Sequence, residues 1–201
     1  MKQIAVTFEH NHSDLSEVWK NYYSQFMDTK IVKIGDMLRN DWGATYPLLN
    51  SLQPELFKEY DLILFADVDE IIVPKDFPNL GEYLKQVDKD VVRCTGYNVI
   101  QMEDEQPIDL TQPILKQRKF WSRDAMYDKF VIITKPQTYT SNHHIINPVP
   151  CSDLVMLHLR DIDIAMAKER NTKIGANFDM DNVNYRRSIA ELIPKKYNGI
   201  M

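Results

Sequence analysis

LILFADVDEIIVP, residues 62–74, carries the reading of this chain. Five apolar residues, Leu62 to Ala66, run straight into Asp67, Asp69 and Glu70, and the chain turns apolar again at Ile71. An apolar run without polar alternation is the pattern of a strand covered on both faces, as in the parallel sheets of α/β proteins. Open α/β sheets bind ligands beyond the C-terminal ends of their strands, which is where Asp67 falls. If the backbone stays extended through the motif, residues two apart point the same way, so Asp67 and Asp69 face a common point. Two carboxylates that close disfavour one another's charge unless a cation compensates, and an all-oxygen set suits hard ions such as magnesium or manganese. The plain alternative is a strand end capped by water or a lysine.

Reading outward, QIAVTF (3–8) is a short strand, and Leu15, Val18, Trp19, Tyr22, Tyr23 and Phe26 form a helical stripe behind an N-cap at Ser13 or Asp14. KIVKIGD (30–36) is a second strand. The following segment is helix-like, with Pro47 and Pro54 expected to break it. Strand, helix, strand, helix, strand over the first 66 residues predicts a Rossmann-like, doubly wound α/β half. Further on come a helix near NLGEYLKQV, a strand near DVVRCTGYNVI and an acidic loop, QMEDEQPIDLTQP. Strand-like pieces near PILKQRKF, KFVIITK and DLVMLHL make the second half mixed or antiparallel, and the chain reads helical from about Asp161. No internal repeat or linker divides residues 1–201, which read as one domain, with 1–100 as a nucleotide-binding half and 101–201 as an acceptor-side half.

The totals exclude several classes. With 44% hydrophobic and 26% charged residues the composition is that of an ordinary globular domain. A net charge of -5 argues against nucleic acid as a partner. Two cysteines, Cys94 and Cys151, are too few for a disulfide scaffold and suggest a reducing, cytoplasmic setting. The apolar stretch at the N-terminus is shorter than that of a signal peptide, and no stretch approaches the roughly 18 apolar residues of a membrane helix, which leaves only peripheral membrane association open.

On these residues the chain resembles the GT-A fold glycosyltransferases of the family 2 and family 92 type. Their apolar strand ends in D-x-D-E after a first strand, a helix and a second strand, here QIAVTF, LSEVWKNYYSQF and KIVKIGD. The resemblance implies a GT-A-like fold and a metal-dependent enzyme. It would take Mn²⁺ or Mg²⁺ and move a sugar from a nucleotide donor, a UDP-sugar, to a carbohydrate or glycoconjugate acceptor. It also implies roles: Asp67 touching the ribose or sugar and helping to hold metal, Asp69 binding metal, Glu70 orienting the loop, and Thr7 and Asp36 holding base and ribose. Downstream, YDKFVIITKP, SNHH and LVMLHLRDID resemble the later parts of these families. They offer Lys129, His143 and His144 as donor contacts and His158 as a third metal ligand, with Arg160 available for phosphate.

Transfer with inversion needs a base for the acceptor hydroxyl, and a carboxylate is the usual choice. Glu103, Asp104, Glu105, Asp124 and Asp128 are the candidates; Asp128, beyond an aromatic Trp121 able to stack on a sugar, is the first choice and Glu103 of the acidic loop the second. Three rivals remain. A haloacid-dehalogenase-like phosphatase also follows an apolar strand with DxD, though normally on its first strand. A nucleotidyltransferase would need a Gly-rich phosphate loop that is missing here. A GT-A domain that binds nucleotide or glycan without turnover keeps the motif and lacks the chemistry.

Overall fold

The computed structural model describes residues 1–10, 14–34, 45–141, 144–145, 151–173 and 177–197. The apolar strand is β3, Leu62–Phe65, buried at every position. It lies parallel to β1, Gln3–His10, and β1 lies parallel to β2, Asp28–Ile34. Helix α1, Ser16–Tyr23, covers one face of this unit and α2, Thr45–Leu56, the other. Alternation along the strands divides the core accordingly: Ala5, Leu62 and Leu64 pack with Trp19 and Tyr23, while Ile4, Val6, Ile63 and Phe65 pack with Leu49 and Leu56. This is the doubly wound half expected from the sequence.

The rest of the sheet is mixed. The strands β4 (Glu70–Pro74), β5 (Val91–Ile100), β6 (Phe120–Arg123) and β7 (Phe130–Ile133) precede β10 (Cys151–His158) and β11 (Glu191–Leu192). One order runs β11-β6-β5-β7-β3-β1-β2, with β10 pairing both β5 and β4. The strand β7 is antiparallel to β3 and β5, whereas β10 is parallel to β5 and antiparallel to β4. A separate pair joins β8, Tyr139–Ser141, to β9, His144–Ile145.

The free edge of β4 is closed by side chains of α1. The Tyr22 hydroxyl donates to the Ile72 carbonyl at 2.7 Å, and the Tyr23 hydroxyl accepts from the Ile72 N–H at 3.0 Å while donating to the Glu70 carbonyl at 3.1 Å. Two residues of the apolar stripe thus satisfy backbone groups that burial would otherwise leave unpaired.

Four local expectations change. Helix α1 begins after Leu15 with no side-chain cap, so Asp14 is not its N-cap and Ser13 lies outside the described residues. Pro47 and Pro54 sit inside α2 without breaking it. Pro47 falls in the first turn, where its missing N–H has no helical partner to lose, whereas Pro54, two residues from the end, costs the helix one bond, to the Asn50 carbonyl, and only the last turn depends on it. PILKQRKF begins as a one-turn helix, α4, Ile114–Gln117, before β6. Trp121 is a core residue, 6% exposed and stacked on Tyr97 at 4.2 Å, so it offers no face to a sugar. Helices α3 (Leu80–Leu84), α5 (Ile164–Lys173) and α6 (Met180–Ser188) fall in the segments read as helical.

Candidate functional site at the end of the central strands

Beyond Phe65 the chain stops being extended. Ala66 still donates to the Val6 carbonyl, and then a turn closes with the Glu70 N–H donating to the Asp67 carbonyl at 2.9 Å. In place of the extended backbone expected there, the turn gives the carboxylates of Asp67 and Asp69 different partners. Among the described residues no three His, Cys, Asp or Glu side chains gather into a ready-made metal cage.

Asp67 belongs to a lysine. In the β3–β7 ladder Ile63 faces Ile133 and Leu64 faces Ile132. Continued to the strand end, that register sets Lys129 opposite Asp67. The Lys129 ammonium donates to Asp67 Oδ2 at 2.8 Å and to Glu70 Oε1, with Glu70 fully buried. The other oxygen of Glu70 accepts the Asp67 N–H at 3.0 Å, so Glu70 does orient the turn. Burial alone would lower the Lys129 pKa, but Asp67 and Glu70 outweigh it and hold the ammonium above the ordinary lysine range. Lys129 thus forms ion pairs with both carboxylates at the strand end.

Asp69 belongs to a histidine. The β4–β10 ladder pairs His158 with Glu70, and the Leu159 N–H donates to the Asp69 carbonyl at 2.7 Å, which fixes the turn against the end of β10. His158 Nε2 lies 3.4 Å from Asp69 Oδ2, and an Arg170 nitrogen of α5 approaches the same oxygen at 3.8 Å. Burial works against the charge on Asp69, as does Asp67; His158 and Arg170 outweigh both and keep the carboxyl below its usual range. His158 Nδ1 is 2.7 Å from Asn98 Oδ1, and the ring stacks on Tyr127 with centroids 3.9 Å apart. Asp69 and His158, two of the three residues expected to hold metal, are brought together, while the carboxylate of Asp67 is paired with Lys129.

The proposed bases are engaged elsewhere. Asp128 Oδ1 accepts the Gly96 N–H at 2.9 Å and Oδ2 pairs with Arg123 at 2.5 Å. It clasps the segment Asp124–Lys129 onto β5. Gly96 is required by that clasp, since a Cβ there would meet Tyr127 Cβ at 2.3 Å and its carbonyl at 2.6 Å. Gly96→Ala should destabilise the fold by about 1–3 kcal/mol, the usual cost of overpacking. Pushing Tyr127 off His158 should also quench the ring-current shifts of the imidazole protons, measurable by NMR alongside the melt. Glu103 stands on the loop after β5, its side chain 84% exposed and paired at 3.4 Å with Arg187 of α6. No contact among the described residues joins it to Asp69 or His158.

Thr7 lies in β1 one register step beyond Val6, the partner of Phe65, and so stands beside the strand end. Its buried hydroxyl has no hydrogen-bond partner among the described residues. Asp36 and His143 fall outside the described residues, as does the side chain of His144, whose backbone is in β9. Sequence reasoning missed Asn98, Tyr127 and Arg170, and gave Asp124 only as one of several bases. Only Tyr127, inside the quoted YDKFVIITKP, stood within a motif.

The family described as "Glycosyltransferase family 92" matches residues 56–200, which include β3, the turn, Lys129 and His158. No curated protein matches. A solved structure titled "Crystal Structure of A197 from STIV" is similar at 14% identity and a TM-score of 0.31, over 67% of this chain and 65% of that one. The family match excludes neither metal nor donor chemistry but sets aside the phosphatase and nucleotidyltransferase readings. With its α/β architecture and mixed sheet, GT-A-like in kind, this chain belongs to glycosyltransferase family 92.

Proposed function

We propose that this domain moves a sugar from a nucleotide donor, a UDP-sugar, to a hydroxyl of a glycan or glycoconjugate, using Mn²⁺ or Mg²⁺ held by Asp69 and His158. The observation that carries the reading is the approach of Asp69 Oδ2 to His158 Nε2, 3.4 Å, at the exit of a fully buried strand. Neighbouring ligands of an octahedral ion with bonds of about 2.1 Å lie about 3 Å apart, so the two atoms suit adjacent positions on one ion. Such ions ordinarily take one or two protein ligands and complete their shell with water and substrate phosphate, so two side chains suffice.

In the transfer, the bond between the sugar C1 and the diphosphate oxygen breaks and its electron pair stays on the diphosphate. The acceptor oxygen bonds to C1 and passes its proton to a carboxylate base. The metal would neutralise charge growing on the leaving diphosphate. Arg170 at the Asp69 carboxylate and the half-exposed Arg160 at the end of β10 add positive charge on the same side. Lys129 offsets one of the two negative charges of Asp67 and Glu70, which lessens the repulsion of an anionic donor at the strand end. Thr7, beside the strand end, keeps with Asp36, His143 and His144 the roles the resemblance gave them. A reducing compartment such as the cytoplasm suits the buried free thiol of Cys94. Among the described residues no helix is long and apolar enough to cross a membrane.

The test is turnover of a nucleotide-sugar panel with Mn²⁺, with and without candidate glycan acceptors. Release of UDP that requires Mn²⁺ is the expected result. Binding of nucleotide without any release would favour a domain that recognises its ligand and does not turn it over.

A further inference from the structure

A groove of about 470 Å³ opens between the loop after β5 and the last turn of α6, lined by Met102, Glu103, Asp104, Arg187 and Ser188. Its size falls within the range of small-molecule sites, roughly 300–1,000 Å³. Both walls are fixed from behind. On the loop side, Gln101 Nε2 donates to the Glu105 carbonyl at 3.0 Å and Glu105 Oε2 accepts the Met102 N–H at 2.9 Å, a turn that puts Glu103 and Asp104 at its exposed tip. On the helix side, Arg187 Nε donates to the Gln101 carbonyl at 2.9 Å, which sets the guanidinium against the loop.

The charges lining the groove are open to a ligand. Arg187 Nη1 lies 3.4 Å from Glu103 Oε1, and the Glu103 side chain is 84% exposed. Such an exposed pair contributes little to stability, so a ligand hydroxyl can replace either partner. A hydroxyl both donates and accepts, whereas a carboxylate only accepts and a guanidinium only donates. A neutral polyol therefore satisfies both walls at once. An anion meets two carboxylates against one guanidinium, and a cation meets Arg187. One turn before Ser188, on the same side of α6, stands Tyr185, 64% exposed; the Ser188 hydroxyl donates to its carbonyl at 2.7 Å. Its ring offers a sugar an aromatic face at the border of the groove.

Position ties the groove to the strand-end site. Gln101 follows Asn98 by three residues, roughly 10 Å of extended chain, and Asn98 is paired with His158 across β5 and β10. Arg186, next to Arg187, reaches the other way, to Asp161 and to Asp124 at 3.3 Å, and Asp124 meets Asn98 at 2.9 Å. Adjacent residues of α6 thus serve the strand-end site and the groove.

We propose that this groove is the acceptor subsite and that it takes an uncharged glycan, held by Glu103 and Arg187 with a sugar ring against Tyr185. The proposal rests on the sugar-transfer reading above and names the acceptors which that reaction takes. It gives Glu103 a binding role in place of the base role read from the sequence.

The experiment places the full chain, fluorescently labelled, on an array of neutral, sialylated and sulfated oligosaccharides, in EDTA and again with Mn²⁺ and UDP. Binding to neutral glycans is the expected result. Glu103→Ala should weaken it about tenfold, the usual worth of one hydrogen bond to a charged group, and Tyr185→Ala several-fold. Both side chains are exposed, so neither change should move the melt. With a neutral acceptor that is turned over, both should raise its KM and leave kcat nearly unchanged. A fall in kcat at constant KM for Glu103→Ala would make Glu103 the base and overturn the subsite. An array that binds only charged glycans, or none, overturns it too, as does neutral binding indifferent to both substitutions. Neutral glycans bound by wild type and lost in both variants, from a chain that releases UDP from no nucleotide-sugar, would keep the glycan site and overturn the transfer reading.

Discussion

Lys129→Met should lower the melting temperature by on the order of 10 °C. The Lys129 ammonium is the partner of Glu70, which has no exposed surface, and of Asp67, which is about one-third exposed. Taking away one member of a buried pair leaves an uncompensated charge and typically costs about 3–5 kcal/mol. For a chain of this size each kcal/mol shifts the midpoint by roughly 2–4 °C. Adding Glu70→Gln to Lys129→Met removes the stranded charge, and the double variant should regain much of the loss while keeping a side chain able to receive the Asp67 N–H. The pH dependence has a fixed sign. Because the Lys129 pKa is raised in the folded chain, its contribution is fully present below the ordinary lysine value of about 10.4 and is lost as pH rises through the folded value. The gap in stability between wild type and Lys129→Met should therefore be constant through neutral pH and narrow only in strong alkali. A single variant melting within 2 °C or so of wild type would mean that Lys129 does not hold the two carboxylates together.

Asp69→Ala should abolish metal-dependent transfer, with kcat/KM falling by about three orders of magnitude. Charge neutralisation by a bound divalent ion supplies several kcal/mol to the transition state, and each 1.4 kcal/mol or so is a factor of ten. The fold should tolerate the change, because the Asp69 carbonyl that accepts from Leu159 N–H is retained. Asp67→Asn separates the two motif aspartates: an amide still accepts from Lys129, so Mn²⁺ binding should persist. Should Asp67→Asn lose Mn²⁺ while Asp69→Ala keeps it, the roles given to the two would be exchanged.

Much of this was legible in the sequence, for local reasons. The uninterrupted apolar run at Leu62–Ala66 announced a strand buried on both faces, and its carboxylates announced the strand end, because neither feature needs a distant contact to be read. The spacing of Trp19, Tyr22 and Tyr23 gave a helix for the same reason, though not the hydroxyls that finish the edge of β4. The division between the two aspartates was hidden. A backbone turn of one hydrogen bond replaced the extended geometry, and the lysine that takes Asp67 is 62 residues away, set there only by the β3–β7 register. The engagement of Asp128 by Gly96, 32 residues upstream, was hidden in the same way. Asn98 carried no signal of its own: a lone asparagine in an apolar strand becomes informative only when β10 lays His158 beside it. Pro47 and Pro54 show the reverse case, where position within the helix, not residue type, decided the outcome.

The most direct measurement is pulsed electron paramagnetic resonance on the protein with stoichiometric Mn²⁺ and UDP. Nuclear modulation from a single imidazole nitrogen, absent in His158→Ala, together with phosphorus coupling from the diphosphate, is the predicted spectrum. A manganese signal that couples to phosphorus alone, unchanged by His158→Ala and by Asp69→Ala, would contradict the claim that these two side chains hold the ion.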